Sequence, residues 1–275
     1  MKVVIGIDVG GSTTKIVGFK YEDGKKTLIH PIFVRATDPT TSIYGAFGRF
    51  TSENNLELSD IDRIMLTGAG SASITKPLYG LNCIHVPEFS CIGRGGIYLS
   101  ELDEAIVVSM GTGTAIIHAT KDGVNEYLGG TGVGGGTLVG LSKLMIGVSD
   151  INNIEELCAD GDISKIDLSV RDIVKSSYSD MSDDLTAANF GNISDLATKS
   201  DIALGIVNMV TETVAMMAIF AARNFSINNI VLTGNLTTME PVKKVLASLQ
   251  PIFGVNLIIP ENSQFGTVIG AALTE

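Results

Sequence analysis

The stretch "IGIDVGGSTTKIVGF", residues 5–19, decides the fold. Its opening residues extend the apolar run "VVIGI", which reads as a strand buried on both faces. The strand reaches Asp8, turns through Gly10 and Gly11 and the hydroxyls of Ser12 and Thr13, and leaves as a second apolar run. Glycines let the backbone approach a ligand closely, and successive N–H groups form a concavity that receives anions. Asp8 is then the puzzle, because a carboxylate beside phosphate is repelled unless a cation lies between them. Mg2+ takes carboxylate, water and phosphate oxygens together, which makes Asp8 a candidate metal-orienting group. The plainer alternative is that Asp8 caps its own turn. Lys15, just past the turn, is a candidate phosphate contact or equally a solvated strand residue.

The same plan recurs in "EAIVVSMGTGTAIIHATKDG", residues 104–123. Aligned on the turns, Asp8 falls on Ser109 and Gly10 on Gly111. Gly111, Thr112, Gly113 and Thr114 are therefore candidates for a second phosphate-binding turn. "RIMLTGAG" at 63–70 is matched by "NIVLTGNL" at 229–236. These repeats imply an α/β protein built by internal duplication. Its two lobes, 1–103 and 104–275, are expected to flank a nucleotide cleft. A C-terminal helix at 267–273 is expected to pack back across their junction.

A third glycine element, "LGGTGVGGGTLVGL" at 128–141, ends in Gly134, Gly135 and Gly136 before an apolar-periodic segment. Glycines entering a helix are expected to offer free N–H groups to an anion, or a flat backbone surface to adenine. No Gly-Lys-Ser/Thr follows, so this is not a Walker loop. The strand–turn–helix unit with a later acid is also missing, so it is not a dinucleotide fingerprint.

Elsewhere, residues 26–36 read as an edge strand because of Pro31. Residues 40–55 and 90–102 read as helices, and 83–89 as a short strand. The polar stretch 176–184 reads as a mobile loop.

The chain has 275 residues, 45% of them hydrophobic, and a net charge of −11. Such a surface repels phosphate backbones and anionic lipid, so neither nucleic acid nor membrane is an expected partner. The apolar segment 202–225 is long enough to mimic a membrane span, but Asn208, Thr211, Glu212 and Thr213 would be costly in lipid, so a buried helix is expected. Cys83, Cys91 and Cys158 fit no zinc pattern, and their odd number argues against a disulfide framework. With a strand opening the chain and no basic leader ahead of it, a reducing cytoplasm is the expected compartment. His30, His85 and His118 share no metal spacing.

With these residues assembled, the chain resembles the type II pantothenate kinases of the actin/Hsp70/sugar-kinase ATPase superfamily. The matching stretches are "GIDVGGSTTKIV", "LTGAG", "VPEF", "SMGTGTA", "GGTGVGGGTLVGL", "DLTAANFGN" and "IVLTGNL". The resemblance implies a duplicated ribonuclease-H-like (actin-like ATPase) fold, a homodimer, and Mg2+- and ATP-dependent phosphorylation of the primary hydroxyl of pantothenate, on the way to coenzyme A. It implies that Glu88 in "VPEF" is the catalytic base. From the residues alone, Glu88 is equally a base projecting from a strand end after Pro87 or an exposed turn acid. The resemblance puts the nucleotide between the two turns, with Gly134–Gly136, Gly234 and Asn235 near the nucleoside. It puts "DLTAANFG" (184–191), and with it Ala187, near the acceptor and the dimer contact. Without the resemblance, Asp184 reads as a helix N-cap.

One departure bears on the acceptor. The family carries an arginine just before the Gly-Gly of the third hairpin strand, where it binds the pantothenate carboxylate. By spacing, Tyr127 stands there, and a tyrosine gives one hydrogen bond rather than a bidentate cationic clamp. Glu126 beside it would repel the carboxylate if it faced the site. Arg94, six residues after Glu88, is the candidate to supply the missing charge. Otherwise the acceptor is pantetheine or another small alcohol such as a sugar. A dehydratase-activator ATPase and a non-catalytic nucleotide sensor are the remaining alternatives.

Overall fold

The computed structural model describes residues 2–11, 13–35, 38–174, 182–183 and 185–274. Ser12, Asp184 and most of the 176–184 stretch lie outside the described residues. The first half runs β1 (Lys2–Val9), β2 (Thr14–Glu22), β3 (Lys25–Val34), α1 (Pro39–Glu53), β4 (Ile61–Thr67), β5 (Cys83–His85) and α2 (Glu88–Ser100). The second runs β6 (Glu104–Met110), β7 (Thr114–Thr120), β8 (Asn125–Thr131), α3 (Gly135–Ile146), α4 (Ile151–Ala159), β9 (Leu168–Ser169), α5 (Val170–Ile173), β10 (Thr186–Ala188), α6 (Lys199–Phe225), β11 (Asn229–Thr233), α7 (Glu240–Phe253), β12 (Asn256–Ile258) and α8 (Gly266–Ala272).

The two large sheets share one topology. The first is ordered β3-β2-β1-β4-β5 and the second β8-β7-β6-β11-β12. Each opens with an antiparallel meander and adds two parallel strands on the other side of its first strand. The register reproduces the alignment of the turns. Asp8 pairs with Lys15 and Thr67, and Ser109 pairs with Ala115 and Thr233. β3, which carries Pro31, is an edge strand.

Each sheet is covered on both faces, which is why its central strands are continuously apolar. On the first sheet, Ile43, Phe47 and Phe50 of α1 pack on Ile5, Ile7, Ile16 and Ile64. Its other face meets Val268, Ile269 and Ala272 of α8. On the second sheet, α3, α4, α6 and α7 bury Ile106, Val108, Ile230 and Leu232. The opposite face of that sheet, Val107, Ile117 and Val231, takes Ile92 and Ile97 of α2. Helix α6 is long and apolar enough to cross a membrane by length and composition, yet it carries Ala203, Ile206, Val207, Val210 and Val214 into the core of the second lobe.

The helices that end the two halves are thus exchanged: α2 lies on the second sheet and α8 on the first. They pack against each other between the sheets, and glycine makes that crossing possible. A Cβ on Gly95 would lie 1.8 Å from the carbonyl oxygen of Gly266, and one on Gly270 would lie 1.9 Å from that of Cys91.

Candidate active site

The two hairpin turns open at matching strand ends. In the first, Gly10 N–H donates to the Thr13 carbonyl at 3.0 Å and closes the turn, with Gly10 and Gly11 exposed beyond it. Thr14 Oγ1 accepts from Ser42 at 2.6 Å, which ties the exit strand to α1. In the second, Thr112 is exposed at the tip, and Thr114 donates its hydroxyl to the Val133 carbonyl at 2.8 Å. The hydroxyl proton of Thr114 is therefore committed to the fold.

The three-glycine element serves the second turn, and this corrects the expectation of free N–H groups. Gly135 N–H donates to the Gly111 carbonyl at 2.9 Å, and Gly136 N–H to the Thr112 carbonyl at 2.8 Å. A Cβ on Gly134 would come within 2.8 Å of Thr112 O. The glycines are present because the start of α3 lies backbone to backbone on the turn. Its leading amides are spent shaping that turn rather than facing an anion. Across the second sheet, Gly234 follows β11 at φ 97° and donates its N–H to the Ser263 carbonyl at 3.0 Å, with Asn235 exposed beside it.

Asp8 ends β1 at the cleft, with Lys15 directly opposite on β2. Lys15 is buried and donates to the Gln264 carbonyl at 2.6 Å, so it is not a solvated strand residue. Burial raises the Asp8 carboxyl above its ordinary value, and Lys15 opposes the rise. Burial also lowers the Lys15 ammonium, against the attraction of Asp8. One carboxylate in a hard-oxygen setting fits Mg2+, which leaves several of its positions to phosphate and water. Among the described residues no group of three or more His, Cys, Asp or Glu forms a closed metal cage. Asp8 with ligand oxygens is thus the fitting set.

Glu88 stands at the first residue of α2, not at a strand end, because β5 stops at His85. Its position is fixed from behind. Val86 N–H donates to Leu66 O at 2.8 Å, and Thr67 Oγ1 donates to Val86 O at 3.0 Å. The residue is exposed at the start of the helix. Partial burial, then the charge of Asp8, raises its pKa. Cys91, one helical turn on and fully buried, is pushed up to about 11, chiefly by burial. It is an inert thiol.

Tyr127 lies flat on Phe89, the residue after Glu88, with ring centroids 4.0 Å apart and an interplanar angle of 7°. A bulge in β8 creates the contact. Gly129 pairs with Ile116 and Tyr127 with Ile117, leaving Leu128 as the extra residue. Glu126 points to the other face, since neighbours on a strand alternate. There it is paired in register with His118, whose ring packs on Phe225.

Arg94 does not face Glu88. Six residues along a helix is a turn of about 240°, and its guanidinium donates to Leu273 O at 3.1 Å. It lines a separate cleft of about 1140 Å3 with Lys26, Tyr98, Glu101 and Glu261. Ala187 lies on the short strand β10, so the 184–191 segment does not open a helix. Ala187 lines an apolar groove of about 640 Å3 between α5, α6 and α7. The residues around it are held by Asp167, which accepts from Phe190 N at 2.8 Å, and by Glu212, which accepts from Thr186 Oγ1 at 2.8 Å. Sequence reasoning missed Thr67, Phe89 and Gln264. Only Phe89 had a signal, being an apolar residue beside a candidate base.

The family model described as Fumble matches residues 104–250. The type II pantothenate kinase of Staphylococcus saprophyticus is 30% identical over 277 residues, spanning 97% of this chain and 98% of that protein. The chain belongs to the type II pantothenate kinase family. The Oceanobacillus iheyensis relative of the same name is 29% identical over 280 residues, 98% of each chain.

Among solved structures, component A of the Acidaminococcus fermentans (R)-2-hydroxyglutaryl-CoA dehydratase matches with a TM-score of 0.72 at 19% identity, over 99% of this chain and 97% of that one. The ROK hexokinase of Thermus thermophilus matches at 0.56 and 13% identity, over 98% and 97%. At such identities the likeness shows the fold alone: a duplicated, two-lobed actin-like ATPase. Cys91 and Cys158 are buried in different cores.

Proposed function

We propose that this protein transfers the γ-phosphoryl group of ATP, with Mg2+, to the primary hydroxyl of pantothenate, working as a cytoplasmic homodimer at the entry to coenzyme A synthesis. The observation that carries the reading is the pair of carboxylates, Asp8 and Glu88, set at facing strand and helix ends beside two duplicated glycine turns. The 30% identical relatives are type II pantothenate kinases, which supports the acceptor class.

The turns at 10–14 and 111–114 bracket the phosphates, and Gly234 and Asn235 flank the nucleoside. Asp8 and the phosphate oxygens would hold Mg2+, which on binding neutralises charge on the β- and γ-phosphates. Glu88 accepts the acceptor hydroxyl proton as its oxygen bonds to the γ-phosphorus and the bond to the ADP oxygen breaks. An alcohol is a far weaker acid than a carboxylic acid, so the proton passes late. Such help is worth ~10²–10⁴-fold. The backbone links from Val86 and Thr67 keep the carboxylate in place through the transfer. Lys15, held by Gln264, sets a positive charge beside Asp8.

The test is ADP release by the purified protein with Mg-ATP and pantothenate or its amides. Acceptor-dependent turnover is expected. Turnover with sugars alone would overturn the reading.

A further inference from the structure

The Phe89–Tyr127 ring pair is the feature that the phosphoryl-transfer scheme leaves unused. Both rings are exposed, 43% and 48%, although stacked face to face. Exposed aromatic pairs at a cleft present a flat apolar wall with one polar tip. Their place is fixed by named backbone. Phe89 is the second residue of α2, and Tyr127 precedes the β8 bulge. A Cβ on Gly130 would lie 3.2 Å from the Tyr127 hydroxyl and 2.2 Å from Thr114 O. The hydroxyl therefore hangs over the strand that leaves the second phosphate turn. Phe89 directly follows Glu88, so a molecule whose alcohol meets Glu88 has these rings beside it.

Among the described residues, Lys15, Arg94 and Arg35 are each already engaged. Lys15 is bound to Gln264 O beside Asp8, Arg94 to Leu273 O, and Arg35 pairs with Asp150 at 3.7 Å. A carboxylate lying along the rings would meet one neutral donor there, the Tyr127 hydroxyl.

We infer that the Phe89–Tyr127 wall selects a pantoyl alcohol whose far end is an uncharged amide, over one that ends in a carboxylate. This rests on the reading of the site as a pantothenate-type kinase. Tyr127 is the specificity-determining residue. Its hydroxyl serves an amide carbonyl well, and a carboxylate needs the bidentate cation it cannot give. The amide's apolar substituent lies on the ring faces.

The experiment compares kcat/KM for pantothenate, its N-propyl amide and pantetheine in the wild-type protein, Tyr127→Arg and Phe89→Leu. The two amides are expected to exceed the acid at least tenfold in the wild type. In Tyr127→Arg the acid gains at least tenfold on the amides, chiefly through KM. In Phe89→Leu both amides lose in KM, which a fold defect alone would not confine to them. Equal use of acid and amides by the wild type, with an unchanged ratio in Tyr127→Arg, overturns the inference and leaves the kinase reading standing. Absence of turnover with all three acceptors overturns both.

Discussion

Gly95→Ala tests the exchanged helices, because this one methyl group enters where α2 and α8 touch. Its ideal Cβ lies 1.8 Å from the carbonyl oxygen of Gly266. The closest ordinary carbon–oxygen contact is ~3.3 Å, so the helices must part by about 1.5 Å. Neither partner has a side chain that can swing away, because backbone meets backbone. Overpacking costs about 1–3 kcal/mol, and the upper end applies here. For a chain of this size each kcal/mol moves Tm by ~2–4 °C, so a drop of about 6–12 °C is expected.

The control is Gly140→Ala, on the exposed side of α3 with open space around it. It removes a helix-interior glycine and is expected to be neutral or to stabilise by about 0.5–1 kcal/mol. Thermal melts by circular dichroism measure both. Since α2 carries Glu88 and α8 lies on the sheet that holds Asp8, Gly95→Ala should also raise the nucleotide KM. If Gly95→Ala melts with the wild type, or if Gly140→Ala falls as far, the packed crossing does not set the relation between the lobes.

Three further outcomes follow from the site and the second lobe. Glu88→Gln should lower kcat by ~10²–10⁴-fold with nucleotide binding intact, and unchanged turnover would remove Glu88 from proton transfer. Because the pKa of Glu88 is raised above its ordinary 4.5, the base is lost as pH falls through the raised value. The acid limb of kcat/KM should then lie above pH 4.5 in the wild type and vanish in the residual activity of Glu88→Gln. Asp201 accepts from Thr198 N and Asp162 N, each at 2.7 Å, which holds it at about 2 against an ordinary 3.8. Its contribution to stability is complete above pH 3.8 and is lost as pH falls through about 2. Asp201→Asn should therefore be less stable at pH 7 by urea titration, with a flatter decline in acid; a parallel decline would refute the assignment.

The duplication was legible in the sequence because each copy keeps an apolar run, a glycine turn and a Leu-Thr-Gly strand end, and the turns alone align Asp8 with Ser109. The sequence also placed the C-terminal helix α8 across the junction, as it is; what sequence order hid was that α2 crosses the other way, onto the second sheet. A helix with apolar residues on more than one side, such as Ile92 and Ile97 facing the second sheet and Cys91 facing the first, does not say which sheet it covers. At Gly134–Gly136 only the expectation of free N–H groups fails, for a related reason. Glycine is required equally for a free anion nest and for backbone packed on backbone, and only the partners of Gly135 and Gly136 separate the two. Tyr127 was located by spacing from the glycines, but the contact with Phe89 depends on the extra residue in β8, which no local pattern announces. Arg94 failed as a substitute clamp because position along a helix fixes direction, and six residues is the wrong interval for a shared face.

The duplicated fold still places its chemistry in one copy. After the last strand of each sheet comes the same Pro-Glu pair, Pro87-Glu88 after β5 and Pro260-Glu261 after β12. In the first copy the helix starts at once, so Glu88 stands on its first turn at the cleft. In the second, Asn262 turns left-handed at φ 60° and a short 3-10 turn, Ser263–Phe265, comes before α8. That added turn takes the acid off the helix end and puts main-chain carbonyls in its place. Ser263 O binds Gly234 N–H, and Gln264 O binds Lys15. The second copy thus props Gly234 and holds the lysine that faces Asp8. A second carboxylate there would add to the repulsion that Asp8 and Glu88 already present to a triphosphate. Ser109, the counterpart of Asp8, makes the same concession at the other turn. On the proposed reading, the asymmetry between the halves leaves Asp8 for the metal and Glu88 for the proton.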